Sequence, residues 1–117
     1  MQATFVELPP FERHRSDYLT DQQYAMLQQQ LMSTPDMGDT IAGTGGLRKL
    51  RFQDPRRQKG RRGGLRVIYY WWDGGDQFWL FTLYDKDQMS DLTADQRGQV
   101  KGLLSRELLA RGHSHGA

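Results

Sequence analysis

Two apolar, aromatic-rich runs, 65–72 and 78–84, flank the tetrapeptide Asp73-Gly74-Gly75-Asp76. The first, Leu65-Arg66-Val67-Ile68-Tyr69-Tyr70-Trp71-Trp72, is made of β-branched and aromatic residues with no helical period, so it reads as a strand. Gly74-Gly75 between two aspartates is a two-residue hairpin signal. Apolar residues stand at adjacent as well as alternate positions of both runs. Such a hairpin must therefore be covered on both faces. Tyr69, Tyr70, Trp71, Trp72, Phe78, Trp79 and Phe81 are best spent as core packing. The rest of the chain has to supply those covers.

A third strand precedes the hairpin at 47–52. Period-two alternation sends Leu47, Lys49 and Arg51 to one face and Arg48, Leu50 and Phe52 to the other, so one face is largely cationic and the other largely apolar. Between it and the hairpin, residues 53–64 are too charged and glycine-rich to pack. From Arg48 to Arg66 there are nine basic residues and one acid, Asp54, although the whole chain has a net charge of only +2. Positive charge concentrated in this way points to a polyanionic partner.

The flanks read as covers. Residues 4–8 form a short strand ended by Pro9-Pro10, and 11–19 a short helix. Thr20 with Gln23 makes a capping box for a helix whose Tyr24, Leu27 and Leu31 share a face, and Pro35 stops it. The connector 37–46 carries Gly38, Gly43, Gly45 and Gly46, read as turn glycines, since no Walker Lys-Ser/Thr pair follows them. After a polar loop at 85–92, Thr93 with Gln96 opens a C-terminal helix reaching about Arg111, with Val100, Leu103, Leu104 and Leu108 on one side. His113-Ser114-His115-Gly116-Ala117 reads as a loose tail. The expectation is one α+β domain, 1–112, with N-terminal helices packed on an antiparallel sheet and a C-terminal helix; the tail is 113–117.

The composition narrows the chemistry. There are no cysteines, so thiolate zinc sites and disulfides are excluded. No apolar run approaches the roughly 20 residues that span a bilayer, and the first residues do not read as a signal peptide, which points to a cytoplasmic protein without membrane partners. The histidines are His14, His113 and His115, and none falls on a core strand; neither a metal centre nor a histidine-based triad is expected. Lys, Arg and Tyr remain. With RNA as substrate these suffice without a cofactor. The 2′-hydroxyl is the nucleophile, arginine stabilises charge on five-coordinate phosphorus, lysine among cations serves as base or acid, and tyrosine stacks or donates a proton. Such a site gains from a partner that orients the RNA.

Four segments together, in this order, resemble the RelE/ParE superfamily of toxin–antitoxin toxins, and within it the HigB-type branch. They are Gly43-Thr44-Gly45-Gly46-Leu47-Arg48-Lys49-Leu50-Arg51, the run from Lys59-Gly60-Arg61-Arg62 through Gly63-Gly64-Leu65-Arg66-Val67-Ile68-Tyr69-Tyr70, Leu83-Tyr84-Asp85-Lys86, and Ser90-Asp91-Leu92-Thr93. The resemblance covers about residues 5–104. It implies a RelE-like fold and a ribosome-dependent mRNA endonuclease that acts in the A site and is silenced by a HigA-type helix-turn-helix antitoxin. Operator DNA would be met only through that antitoxin. Carried onto this chain, Lys49, Lys59, Arg66, Tyr84 and Lys86 are the implied catalytic set. Arg48, Arg51, Arg56, Arg57, Arg61 and Arg62 are the RNA contacts. The family's Tyr-x-Lys-x-Glu pattern is Tyr84-Asp85-Lys86-Asp87-Gln88 here, so Gln88 replaces the usual glutamate and Asp85 stands where a small residue is frequent. Two other readings use the same residues. One is a ParE-like DNA gyrase inhibitor, which the crowded cationic strand disfavours. The other is a non-catalytic RNA- or ribosome-binding module relying on counterion release.

Overall fold

The computed structural model describes residues 2–52, 64–72 and 74–111. Its elements are β1 (Thr4–Glu7), α1 (Pro9–Tyr18), α2 (Asp21–Ser33), β2 (Asp39–Thr40), β3 (Arg48–Phe52), β4 (Leu65–Trp72), β5 (Gln77–Asp85) and α3 (Ala94–Ala110). The five strands form one sheet in the order β1-β5-β4-β3-β2. The expected α+β arrangement is present. From β2 to β5 the pairings are antiparallel, and β1 adds to the far side of β5 in parallel. No helix among the described residues is long and apolar enough to cross a membrane. The basic loop 53–63 and the tail 113–117 lie outside the described residues.

The hairpin strands are covered on both faces, as their apolar pattern requires. On one face Leu65, Val67, Tyr69, Phe78, Leu80 and Leu83 join Leu50 and Phe52 of β3 under α1 and α2, which contribute Phe11, Leu27 and Leu31. On the other, Ile68, Trp79, Phe81 and Tyr84 pack with Leu47 under Val100 and Leu104 of α3. Both capping boxes form. Thr20 Oγ1 and Thr93 Oγ1 each accept from the N–H three residues on at 3.1 Å, and the returning glutamine side chains accept from the cap N–H groups at 2.8 Å.

Several features escape the linear pattern. Pro9 and Pro10 do more than end β1: they occupy the first turn of α1, where a missing N–H costs nothing. Within the glycine connector, β2 pairs with β3, Asp39 opposite Lys49. The connector also folds against the core at Gly38, whose N–H donates to Tyr69 Oη at 3.0 Å, while Tyr69 donates to the Pro35 carbonyl at 2.8 Å. A Cβ at Gly38 would lie 2.9 Å from the Tyr69 ring and 3.0 Å from the Lys49 carbonyl oxygen, so only glycine fits. The hairpin turn differs from the two-residue expectation. Pairing ends at Trp72 opposite Gln77, leaving four residues, and among the described residues of the turn the left-handed one is Asp76 (φ 50°) rather than a glycine. Gly75 instead makes room for the Trp72 ring, 2.8 Å from where a Cβ would sit.

Candidate nucleic-acid interface

The site follows from strand register. Arg51 of β3 is opposite Arg66 of β4, and Arg66 is opposite Tyr84 of β5, so three polar side chains form a row across the sheet. One step along, Lys49 is opposite Ile68, and Ile68 opposite Thr82. Alternation puts Lys49, Arg51, Arg66 and Tyr84 on the face that carries α3. A β-bulge makes this possible on β5. Ile68 pairs with Thr82 but Tyr69 with Leu80, so Phe81 is an extra residue. It shifts the phase of β5, and Tyr84 then shares a face with Trp79 and Phe81.

Arg66 is 3 % exposed. Its Nη1 donates to the backbone carbonyls of Leu65 at 3.3 Å and Gly64 at 3.5 Å. Burial, and then the neighbouring Arg51 guanidinium, pull its pKa below the usual arginine value, with Tyr84 acting the other way. Two like charges opposite each other on adjacent strands are unfavourable, and among the described residues no carboxylate pairs with either guanidinium. An anion arriving at this row relieves that repulsion.

Tyr84 is 5 % exposed. Its hydroxyl is buried and makes no hydrogen bond of good geometry among the described residues, although the Asp91 carboxylate is near enough to act on it. Burial first, then Asp91, push its pKa up to about 12, against the pull of Arg66. The phenol therefore keeps its proton well above neutral pH.

Lys49 Nζ lies 3.5 Å from Asp91 Oδ1. Burial would raise the Asp91 carboxyl, but the Leu92 N–H, the Lys49 ammonium and Arg97 outweigh it, and the net shift is downward. Asp91 is the residue that side-chain chemistry alone did not single out. It appeared only within the Ser90-Asp91-Leu92-Thr93 motif, and its effect on both Lys49 and Tyr84 depends on the loop before α3.

The remaining expected site residues are dispersed. Arg48 projects to the opposite side of β3, where its Nη1 donates to the carbonyls of Gly38 at 2.8 Å and Asp36 at 3.2 Å. Lys86 follows β5, its N–H donating to the Gly64 carbonyl at 3.3 Å, which places it at the same end of the sheet as Arg66. Asp85 is buried and accepts from the Asp87 N–H through Oδ1 at 2.8 Å. Gln88 accepts from Tyr18 Oη at 2.9 Å. Lys59, Arg56, Arg57, Arg61 and Arg62 lie outside the described residues.

No family model matches the chain. A solved structure of an arginine-to-alanine double mutant of the E. coli toxin RelE, in the free state, is similar with a TM-score of 0.49 and 12% sequence identity; the match covers 77% of this chain and 90% of that one. A likeness this distant says nothing about the chemistry.

Proposed function

We propose that this chain is the toxin of a type II toxin–antitoxin system and that it cleaves mRNA in the ribosomal A site. The row Arg51–Arg66–Tyr84 carries the reading: two guanidiniums without carboxylate partners among the described residues, beside a phenol that retains its proton. The four motif segments support the same reading from the sequence.

In the proposed reaction the 2′-oxygen attacks phosphorus and the bond to the 5′-oxygen breaks. Arg66, held by two backbone carbonyls, meets the developing charge on the phosphate oxygens. Tyr84 donates towards the departing 5′-oxygen; with its ring buried it acts through the hydroxyl rather than by stacking. Lys49 or Lys59, as the free amine, takes the 2′-hydroxyl proton; for Lys49 this requires its ammonium first to pass a proton to the Asp91 carboxylate at 3.5 Å. Lys86 contacts phosphate, and Arg51 with the arginines of the loop tracks the strand. No cofactor enters these steps. The ribosome orients the mRNA, a cytoplasmic setting follows, and a HigA-type antitoxin silences the protein.

Wild type, Arg66→Lys and Arg66→Ala are induced in cells and mRNA 5′ ends are mapped. Wild type generates new ends within translated frames, and Arg66→Ala lowers their yield by about 100-fold or more. Equal growth arrest by wild type and Arg66→Ala overturns the role of Arg66. Intact mRNA with the protein co-sedimenting on ribosomes points instead to a binding module, and inhibition of DNA supercoiling by the purified protein to a gyrase target.

A further inference from the structure

We propose that Tyr18 and Gln88 are positioning residues for the cleavage: their hydrogen bond anchors the loop 86–92 to α1, and the anchored loop holds Asp91 at Lys49, beside Tyr84. It rests on the reading of Lys49 and Tyr84 as reacting groups, and neither Tyr18 nor Gln88 touches RNA in it.

Residues 86–92 join β5 to Thr93, the capping residue of α3. Lys86, Asp87, Gln88, Ser90 and Asp91 are polar, and only Met89 and Leu92 join the core on the α3 side. Asp91 sits near the far end of this loop, and its own ion pair does not fix its place. In the Lys49–Asp91 pair, at 3.5 Å, the two side chains are 25 % and 53 % exposed. A pair this open to water contributes little. Fixing even a few loop residues costs more than that in conformational freedom. Other contacts must therefore hold the loop.

Asp85 supplies the first of them. Its Oδ1 accepts from the Asp87 N–H at 2.8 Å, and its backbone carbonyl accepts from the N–H groups of Gln88 and Met89 at 3.0 Å each. These bonds fold residues 85–89 into a turn. The turn fixes how the loop leaves β5, but a loop held at that point alone can still swing as a unit. Gln88 provides the second point. Its Oε1 accepts from Tyr18 Oη at 2.9 Å, 70 positions away in the chain. Tyr18 is the last residue of α1, it packs against the core beneath that helix, and Leu19 after it is buried. The anchor is thus part of the packed core rather than of another loop.

Asp91 lies between this anchor and the buried Leu92, whose N–H donates to Asp91 Oδ1 at 2.8 Å. Among the described residues, the cations acting on Asp91 are Lys49 of β3 and Arg97 of α3, and the charged groups acting on Tyr84 are Asp91 and Arg66. Lys49 can pass a proton to Asp91 only while the two stay within reach. Tyr84 keeps its raised pKa only while its burial and the nearby carboxylate persist. Misplacing a reacting group by about 1 Å can cost about 100-fold in rate. A hydrogen bond between α1 and the loop therefore bears on both proton transfers.

The test measures mRNA cleavage on programmed ribosomes by the purified full chain. In parallel, ultraviolet titration of tyrosinate follows Tyr84, taken as the difference between each protein and the same protein carrying Tyr84→Phe. Gln88→Ala and Tyr18→Phe should each lower kcat by about tenfold or more while KM stays within about threefold. The double variant should lose no more than either single one, because both remove the same bond. Gln88→Glu keeps an acceptor for the Tyr18 hydroxyl and should cleave like wild type. In Gln88→Ala, Tyr84 should ionise at lower pH than in wild type. Melting curves that match wild type exclude unfolding as the cause; if Tyr18→Phe melts early, Gln88→Ala and Gln88→Glu decide. A wild-type kcat in Gln88→Ala, losses that add in the double variant, equal losses in Gln88→Glu and Gln88→Ala, or an unmoved Tyr84 titration overturns the proposal. If wild type leaves mRNA intact, the nuclease reading fails instead, and the Tyr84 titration of Gln88→Ala still decides whether the anchor holds Asp91.

Discussion

Replacing Tyr84 by phenylalanine should make the protein more stable and less active. The ring is 5 % exposed and packs with Ile68, Phe81 and Leu92, contacts that phenylalanine retains. The hydroxyl is the part that finds no good hydrogen bond among the described residues. A buried hydroxyl in that state costs about 1–3 kcal/mol, so Tyr84→Phe should gain about 1 kcal/mol at pH 7. For a chain of 117 residues this raises Tm by about 4 °C. The pH dependence gives a second signature. The folded-state pKa of Tyr84, about 12, lies above the tyrosine value of 10.0. A raised pKa contributes stability that is complete below the unfolded value and is lost as pH climbs through the folded one. At about 1.4 kcal/mol per unit, wild type loses about 3 kcal/mol from this group between pH 10 and 12, and the variant loses none of it. Tyr24 and Tyr69 are also shifted upward, but both proteins contain them and they cancel in the difference. Urea unfolding followed by circular dichroism, at pH 7 and at steps from 9.5 to 11.5, measures both effects. mRNA-end mapping should show cleavage reduced by about 100-fold. A variant destabilised by more than about 1 kcal/mol at pH 7 would mean that the hydroxyl is bonded into the core, and a stability gap that does not widen above pH 10 would mean that folding does not hold the phenol in its protonated form. A variant that cleaves like wild type would remove Tyr84 from the chemistry.

Asp91→Asn removes the carboxylate that faces Lys49 Nζ at 3.5 Å and raises the Tyr84 pKa. The tyrosine should then titrate at lower pH, which ultraviolet titration of tyrosinate detects, and cleavage should fall at least several-fold. Thr93→Ala breaks the capping box of α3 and should cost about 1 kcal/mol in urea unfolding. Gly38→Ala forces a methyl against the Tyr69 ring and the Lys49 carbonyl and should destabilise by about 1–3 kcal/mol, whereas Gly98→Ala, in open space on α3, should stabilise by about 1 kcal/mol.

The strands and helices were legible because each is marked by local chemistry. Thr20 with Gln23, and Thr93 with Gln96, are reciprocal hydrogen-bond sets that a chain satisfies within four residues. The aromatic run 65–72 has no other way to bury itself. Features depending on two distant segments were not legible. The parallel addition of β1 to β5 pairs residues more than seventy positions apart, Thr4 with Gln77. The short β2 has little strand character of its own and exists because Arg48 and Lys49 offer it an edge. The turn at Gly74-Gly75 looked like a two-residue reversal from composition, but the bulk of Trp72, not a need for positive φ, explains the glycines.

The site was legible in its residue types and less so in its arrangement. Charge density alone would have assigned equal weight to every arginine from 48 to 66. Register separates them: Arg48 turns to the carbonyls of Gly38 and Asp36, while Arg51 and Arg66 stand opposite one another on the α3 face. Burial then distinguishes these two, because Arg51 is exposed and Arg66 is not. A buried guanidinium held by backbone carbonyls has a fixed direction, and that is what stabilising charge on a transition state demands. An exposed one adapts, which suits contact with a phosphate backbone of any sequence. The bulge at Phe81 sets the phase that gives Arg66 its neighbour Tyr84. One extra residue in an otherwise regular hairpin therefore decides whether the most buried cation of the sheet stands beside a proton donor or beside another apolar side chain.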